Sequence, residues 1–357
     1  MESSPARGEP AKGTASSDPD VPTEAGASDR LVTVLMPARN EERAIGRALD
    51  SVTGQTYPHL QVVVVDDGST DRTAQVVRSR MADDDRIELV TSRRRGIPAV
   101  LNQGLEVARG RWLVRVDAHS TIQSTYVEQL VGHLATGTWG GVGGRKDGSG
   151  ETSAGRAIAA VIGSRFGVGN SRYHYATEPD PAVDHLPFGA YPTELVRRLG
   201  GWDERLVANE DFEFDYRLRR SGERLLLDPQ IVITWESRQS VPALWRQYVR
   251  YGRGKADVAI LHPASLQPRH LAAPMLVAWL SAAGIVALRR PRIAAAMAAP
   301  YGLALTVASG VTARGLDDRG DAIHVAPAFV AMHVGWGSGF WMGLLRRSRL
   351  RQTRPDG

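Results

Sequence analysis

The chain has 357 residues, with 44 Lys and Arg against 39 Asp and Glu for a net charge of +5, and 42% of it is hydrophobic. That length supports about two domains with sizeable buried cores. The absence of cysteine excludes disulfide scaffolds, thiolate metal sites, iron–sulfur clusters and cysteine nucleophiles, and +5 spread over this length is no nucleic-acid footprint.

Residues 1–29 are rich in Pro, Gly, Ala, Ser and acids and lack an apolar signal-peptide core, so a disordered tail is expected. From Arg30 apolar runs and helical patterns alternate. Strands are expected at 31–37, 60–67, 86–91 and 111–117, with helices from Glu41 to Gly54, Asp71 to Met81 and Pro98 to Ala108. This alternation predicts an α/β domain with a doubly wound, mostly parallel sheet. The runs at 62–65 and 113–116 are continuously apolar, as required when helices cover both faces. From 122 to 256 the pattern loosens: loops at the glycine-dense 137–150 and 163–169, helices near 153–165, 193–199 and 210–221, and a short strand at 230–235. The domain is therefore bounded at 30–265.

The region 266–357 has a different texture. The segments 271–288, 293–313 and 322–345 contain no Asp, Glu, Lys or Arg, and a bilayer crossing needs about 20 such residues. Arg289, Arg290 and Arg292 lie between the first two segments, and the tail after 345 is strongly basic. Positive-inside bias places both basic stretches in the cytoplasm. Two crossings, 293–313 and 322–345, satisfy this if 271–288 is short or re-entrant. A multi-pass membrane protein with a cytoplasmic catalytic domain is the expectation.

Polar clusters fall at the carboxyl ends of the expected strands, where ligands of open α/β sheets collect. They are Pro37-Ala38-Arg39-Asn40-Glu41, Asp66-Asp67-Gly68-Ser69-Thr70-Asp71 and Asp117-Ala118-His119. Each alone also reads as turn or capping chemistry. A dinucleotide fold would need G-x-G-x-x-G after the first strand, and neither that nor a P-loop is present. Asp211 lies in Asn209-Glu210-Asp211, acids that would equally complement a helix dipole.

These motifs, with LNQGLEVARG, GGWDERLVANEDFEFDYRLRRSG and WRQYVRYGRGK, resemble glycosyltransferase family 2 with the GT-A fold, nearest its succinoglycan-biosynthesis, ExoA-like branch. The resemblance covers about residues 30–265. It implies that Pro37, Ala38, Arg39 and Glu41 line a nucleoside pocket, that Asp67 accepts a hydrogen bond from the base, and that Arg95 and Asn102 approach the nucleotide. It implies a divalent cation, Mn²⁺ or Mg²⁺, on Asp117 and His119. The imidazole nitrogen favours Mn²⁺. Asp211 is implied as the general base of an inverting transfer, with Glu210 and Trp202 on the acceptor side. Gln247, Arg250 and Tyr251 resemble the Gln-x-x-Arg-Trp motif near the diphosphate and acceptor, although a basic amphipathic helix on an anionic leaflet would look the same. Gly335-x-x-x-Gly339-x-x-x-Gly343 would permit close helix packing.

The implied activity is transfer of a sugar, from UDP-hexose or another nucleotide-sugar donor, to a lipid-linked saccharide acceptor in exopolysaccharide or cell-surface glycan synthesis. Direct transfer to polyprenyl phosphate is the alternative enzyme. A non-catalytic membrane-associated nucleotide- or glycan-binding protein is the alternative of another class.

Overall fold

A computed structural model describes residues 30–346, together with Met1. The expected N-terminal tail and the basic C-terminal tail lie outside the described residues. Strands β1 (Val32–Ala38), β2 (Leu60–Asp66), β3 (Ile87–Thr91) and β4 (Trp112–Arg115) are linked by helices α1 (Ile45–Thr53), α2 (Thr73–Asp83) and α3 (Ile97–Val107). Every residue of β1, β2 and β4 is buried. In β2, Val62 and Val64 face one apolar cluster while Val63 and Val65 face another, which is the strand's period of two. Each buried valine contributes about 1.5–3 kcal/mol of transfer free energy.

The second half adds β5 (Ser120–Ile122), α4 (Tyr126–Ala135), β6 (Gly141–Ser149), α5 (Ser153–Ile162), α6 (Arg165–Val168), β7 (Ala190–Pro192), α7 (Thr193–Arg198), α8 (Glu210–Arg220) and β8 (Leu225–Glu236). The eight strands form one sheet in the order β3-β2-β1-β4-β7-β6-β8-β5. β7 and β5 run against the rest, so the sheet is mixed but mostly parallel.

Two corrections to the sequence reading follow from packing. The glycine-dense stretch 137–150, expected as a loop, contains β6, paired in parallel with β8. Its glycines are there for room: a Cβ at Gly144 would stand 2.1 Å from the Ile231 carbonyl oxygen, and one at Gly141 would stand 2.7 Å from Leu225. The short strand expected at 230–235 is part of the twelve-residue β8.

Helix α9 (Val241–Leu261) leads to α10 (Ala272–Ala287), α11 (Pro291–Ala313) and α12 (Val325–Leu345). Among the described residues three helical stretches, Pro268–Ala287, Pro291–Ala313 and Arg319–Leu345, are long and apolar enough to cross a membrane. The 3₁₀ turn Pro268–Leu271 lengthens the first of them beyond the 18 residues read from sequence. The first two are only 11% buried, so they present apolar surface outward.

The third packs on α9 and on the sheet domain before it. Cβ atoms at Gly339 and Gly252 would lie 2.2 Å from the Val249 carbonyl and 2.0 Å from the Trp336 carbonyl. The glycine stripe thus brings α12 into backbone contact with α9, while Gly337 does the same for Ala273 of α10. Arg156 of α5 binds buried Asp321 with two bonds of 2.7 and 2.8 Å at the foot of α12.

Candidate active site

The turns after β1 and β2 hold one another. Asn40 adopts φ +54°, its N–H donates to Ser69 Oγ at 2.9 Å, and its Oδ1 accepts from the Thr70 N–H at 2.8 Å. The Glu41 and Glu42 amides donate to Thr73 Oγ1 and Asp71 Oδ2. Asp66 accepts from Ser69 and so serves the turn. Asp67 instead faces a cavity of about 1240 Å³, with Pro37, Ala38, Arg39 and Glu41 on the same wall. Arg39 reaches Asp67 Oδ2 at 3.4 Å, whereas Asp67 Oδ1 is buried without a hydrogen-bond partner. An unpaired buried carboxylate oxygen is costly unless a ligand donor meets it.

At the end of β4, Arg115 is buried between two acids. Its Nε donates to Asp117 Oδ1 at 3.0 Å and its Nη1 to Glu210 Oε1 at 3.1 Å. Burial opposes the guanidinium charge, but Asp117, Glu210 and Asp211 outweigh it and raise its proton affinity. Arg115 thereby ties the Asp117 turn to the N-terminus of α8. Sequence reasoning missed it, although an arginine inside an otherwise apolar strand is the available signal.

His119 is engaged at both ring nitrogens. Trp235 Nε1–H donates to Nε2 at 2.8 Å, and Nδ1 lies 3.0 Å from Glu41 Oε1. Because the indole can only donate, Nε2 carries the lone pair, and Nδ1–H donates to Glu41. Among the described residues no group of three or more His, Cys, Asp and Glu is gathered as a metal cage. The expectation that His119 ligates a divalent ion therefore meets an imidazole whose lone pair is already used. Asp117, with one oxygen bound by Arg115, is the sole open member of the expected pair. This donor set does not fit a metal held by the protein alone.

Asn209 takes a left-handed conformation at φ +63° and donates from Nδ2 to the Tyr251 carbonyl at 3.0 Å. Gly254 gives it space, since a Cβ there would come within 2.6 Å of the Ala208 carbonyl. Glu210 and Asp211 then open α8 beside α9, where Gln247, Arg250 and Tyr251 line the same cavity. Gln247 Nε2 donates to the Tyr251 hydroxyl at 2.9 Å. Burial tends to raise the Asp211 carboxyl, but His185, Arg115, the Phe212 N–H and Lys146 hold it below the usual carboxylate range. Burial and the Asp211 charge push Glu210 up. Neighbouring carboxylates are thus driven apart in acidity, with Asp211 the more acidic of the two and Glu210 held by Arg115.

The structure brings Pro37, Ala38, Arg39, Glu41, Asp67, Asp117, His119, Glu210, Asp211, Gln247, Arg250 and Tyr251 to one cavity. Three expected site residues stand elsewhere. Asn102 clamps the glycine turn, accepting from the Trp202 N–H and donating to the Trp202 carbonyl, both at 2.8 Å. Trp202 is 4% exposed and packs on Phe214 with ring centroids 5.4 Å apart, so it is a core residue. Arg95 is exposed beside Gly96, its guanidinium near Gly68. Lys146, His185, Trp235 and Arg238 also line the cavity and had no signal beyond their residue type.

The family model for glycosyl transferase family 2 matches residues 33–198. Succinoglycan biosynthesis protein ExoA of Rhizobium meliloti (strain 1021) is 30% identical over 331 residues, 89% of this chain and 98% of that protein. A dolichyl N-acetyl-α-D-glucosaminyl phosphate 3-β-D-2,3-diacetamido-2,3-dideoxy-β-D-glucuronosyltransferase of Methanococcus voltae is 26% identical over 235 residues, covering 63% of this chain and 73% of its own. Among solved structures, a mannosyltransferase from Pyrobaculum calidifontis in complex with GDP-Man and Mn²⁺ superposes with a TM-score of 0.57 at 23% identity, over 90% of each chain. That likeness carries the GT-A fold, and the length and identity of the match to the Rhizobium protein carry the family: the chain belongs to glycosyltransferase family 2.

Proposed function

We propose that this glycosyltransferase moves a sugar, with inversion, from a nucleotide-sugar donor to a lipid-linked saccharide at a membrane surface. What supports the reading is the continuity of one cavity. It begins at Asp67, passes Asp211, and ends against Leu276 of α10, Leu305 of α11 and Trp336 of α12. A water-soluble donor and an apolar-tethered acceptor would meet at Asp211 in such a space. The free Asp67 Oδ1 suits an N–H of the base, and uracil supplies one, in keeping with a UDP-hexose donor.

Asp211 takes the acceptor hydroxyl proton as that oxygen attacks the anomeric carbon. The bond to the diphosphate breaks with its electron pair. Lys146, Arg238 and Arg250 line the cavity with no carboxylate within 4 Å among the described residues, and they would meet the charge on the leaving group. The domain faces the cytoplasm in this reading, with α10 lying shallow so that Arg289, Arg290 and Arg292 stay on that side.

The test is release of nucleoside diphosphate and formation of glycosylated lipid by protein in nanodiscs, screened over nucleotide sugars with native lipid extract. Turnover is compared with and without Mn²⁺ and Mg²⁺, since Asp117 alone is a weak protein anchor for either. Tight donor binding with no release under any acceptor would overturn the reading and leave a binding protein. A one-sugar lipid product would shift the acceptor to polyprenyl phosphate.

A further inference from the structure

Behind Asp211 stands a pair, half-buried His185 and buried Asp215, that the sequence motifs do not include. Asp215 of α8 is fully buried and accepts three hydrogen bonds, each of 2.8 Å: from the Tyr191 hydroxyl, the Leu186 N–H and His185 Nδ1. Burial pushes the Asp215 carboxyl up, and three donors converging on it, one of them the His185 ring, work against that by favouring the charged form. The other ring nitrogen of His185, Nε2, lies 3.7 Å from Asp211 Oδ2. Among the described residues, His185 is the one basic group within 4 Å of either Asp211 or Asp215.

We propose that His185 is a positioning residue for Asp211: anchored through Nδ1 on Asp215, it holds a proton on Nε2 that keeps Asp211 ionised and aimed at the acceptor. This rests on reading Asp211 as the base. The 3.7 Å spacing closes to a hydrogen bond by a small rotation of either side chain. In the transfer, the acceptor O–H proton passes to Asp211, the oxygen bonds to the anomeric carbon, and the electron pair of the broken C–O bond leaves with the nucleoside diphosphate. His185 keeps its own proton throughout and falls back on Asp215 when Asp211 becomes neutral.

The surroundings favour the imidazolium. The Asp184 carboxylate, engaged by Arg269 and Gln267, adds a further negative charge to this region, and Tyr173 approaches the His185 ring edge-on at 5.5 Å between centroids. The nearby His174 is neutral, its pKa pushed down to about 3, chiefly by burial. Burial opposes charge on His185 as well, but Asp211, Asp215 and Asp184 outweigh it and lift its pKa above the ordinary value.

The experiment is the pH dependence of kcat/KM for wild type, His185→Gln and Asp215→Asn, with nucleotide affinity measured alongside to confirm an intact fold. Removing a cation about 4 Å from a carboxylate raises that carboxylate by about 1–3 pH units. The acidic limb should therefore move upward by that amount in both variants. A uniform loss of rate with the limb in place means a structural role only and overturns the proposal. Histidine-labelled NMR, with the resonance assigned by His185→Gln, gives a second readout without turnover. Imidazolium at pH 7 in wild type and neutral imidazole in Asp215→Asn are expected, and a neutral His185 at pH 6 in wild type overturns the proposal. Imidazolium without any transfer would count against the base reading of Asp211 alone.

Discussion

Replacing Arg115 with Met tests the link between the two halves of the site. The guanidinium is 10% exposed, Glu210 is 8% exposed, and Asp117 is 16% exposed at its side chain. Met keeps the stem but strands two acids that now repel, one of them buried. Breaking a buried ion pair from one side costs about 3–5 kcal/mol. For a domain of this size about 2–4 °C of Tm is lost per kcal/mol, so Arg115→Met should lower Tm by about 6–20 °C. The double variant Arg115→Met with Glu210→Gln removes the worst stranded charge and should regain a large part of that loss. Thermal unfolding in detergent, followed by tryptophan fluorescence, reads wild type, the two single variants and the double variant. A single variant within about 2 °C of wild type, or a double variant equal to the sum of its singles, would refute the bridge.

The remaining expectations concern different links. Asp211→Asn should abolish glycosyl transfer while leaving nucleotide affinity nearly unchanged, because only a proton acceptor is lost; near-normal turnover refutes its role as base. Gly339→Ala should cost about 1–3 kcal/mol of stability, since its Cβ would sit 2.2 Å from the Val249 carbonyl, while Gly302→Ala, in a helix interior with nothing within 4 Å, should be neutral or stabilise by up to about 1 kcal/mol in the same thermal assay. Equal effects would refute the close helix contact. Burial brings the Lys146 ammonium down to about 8, against the upward pull of Asp117 and Asp211. It is charged below that pH and neutral above it, so affinity for a nucleoside diphosphate should be flat below about pH 7 and weaken up to about tenfold per unit above pH 8. Lys146→Met should remove this slope, and an unchanged slope by calorimetry would discard the contact.

The periodicity of the first ninety residues after Arg30 determined β1 to β4 and their helices, because a sheet covered on both faces demands continuous apolar strands that few other patterns satisfy. The motif chemistry at those strand ends pointed to Asp67 and Asp117, the Asn209-Glu210-Asp211 motif pointed to Asp211, and the uncharged runs marked the three apolar helices among the described residues. What sequence could not decide was anything fixed by close approach between distant segments. Gly141, Gly143 and Gly144 read as loop residues until β8 and Leu186 are seen pressed against them. Trp202 and Asn102 read as ligand contacts, yet they spend their surface and hydrogen bonds on each other and on Phe214. His119 has the right type and spacing for a metal ligand, and only the fold reveals that Trp235, 116 residues away, already occupies its lone pair. Spacing along a chain specifies which way a side chain leaves the backbone; whether its polar atoms are free is settled by whichever donor the tertiary structure brings to them.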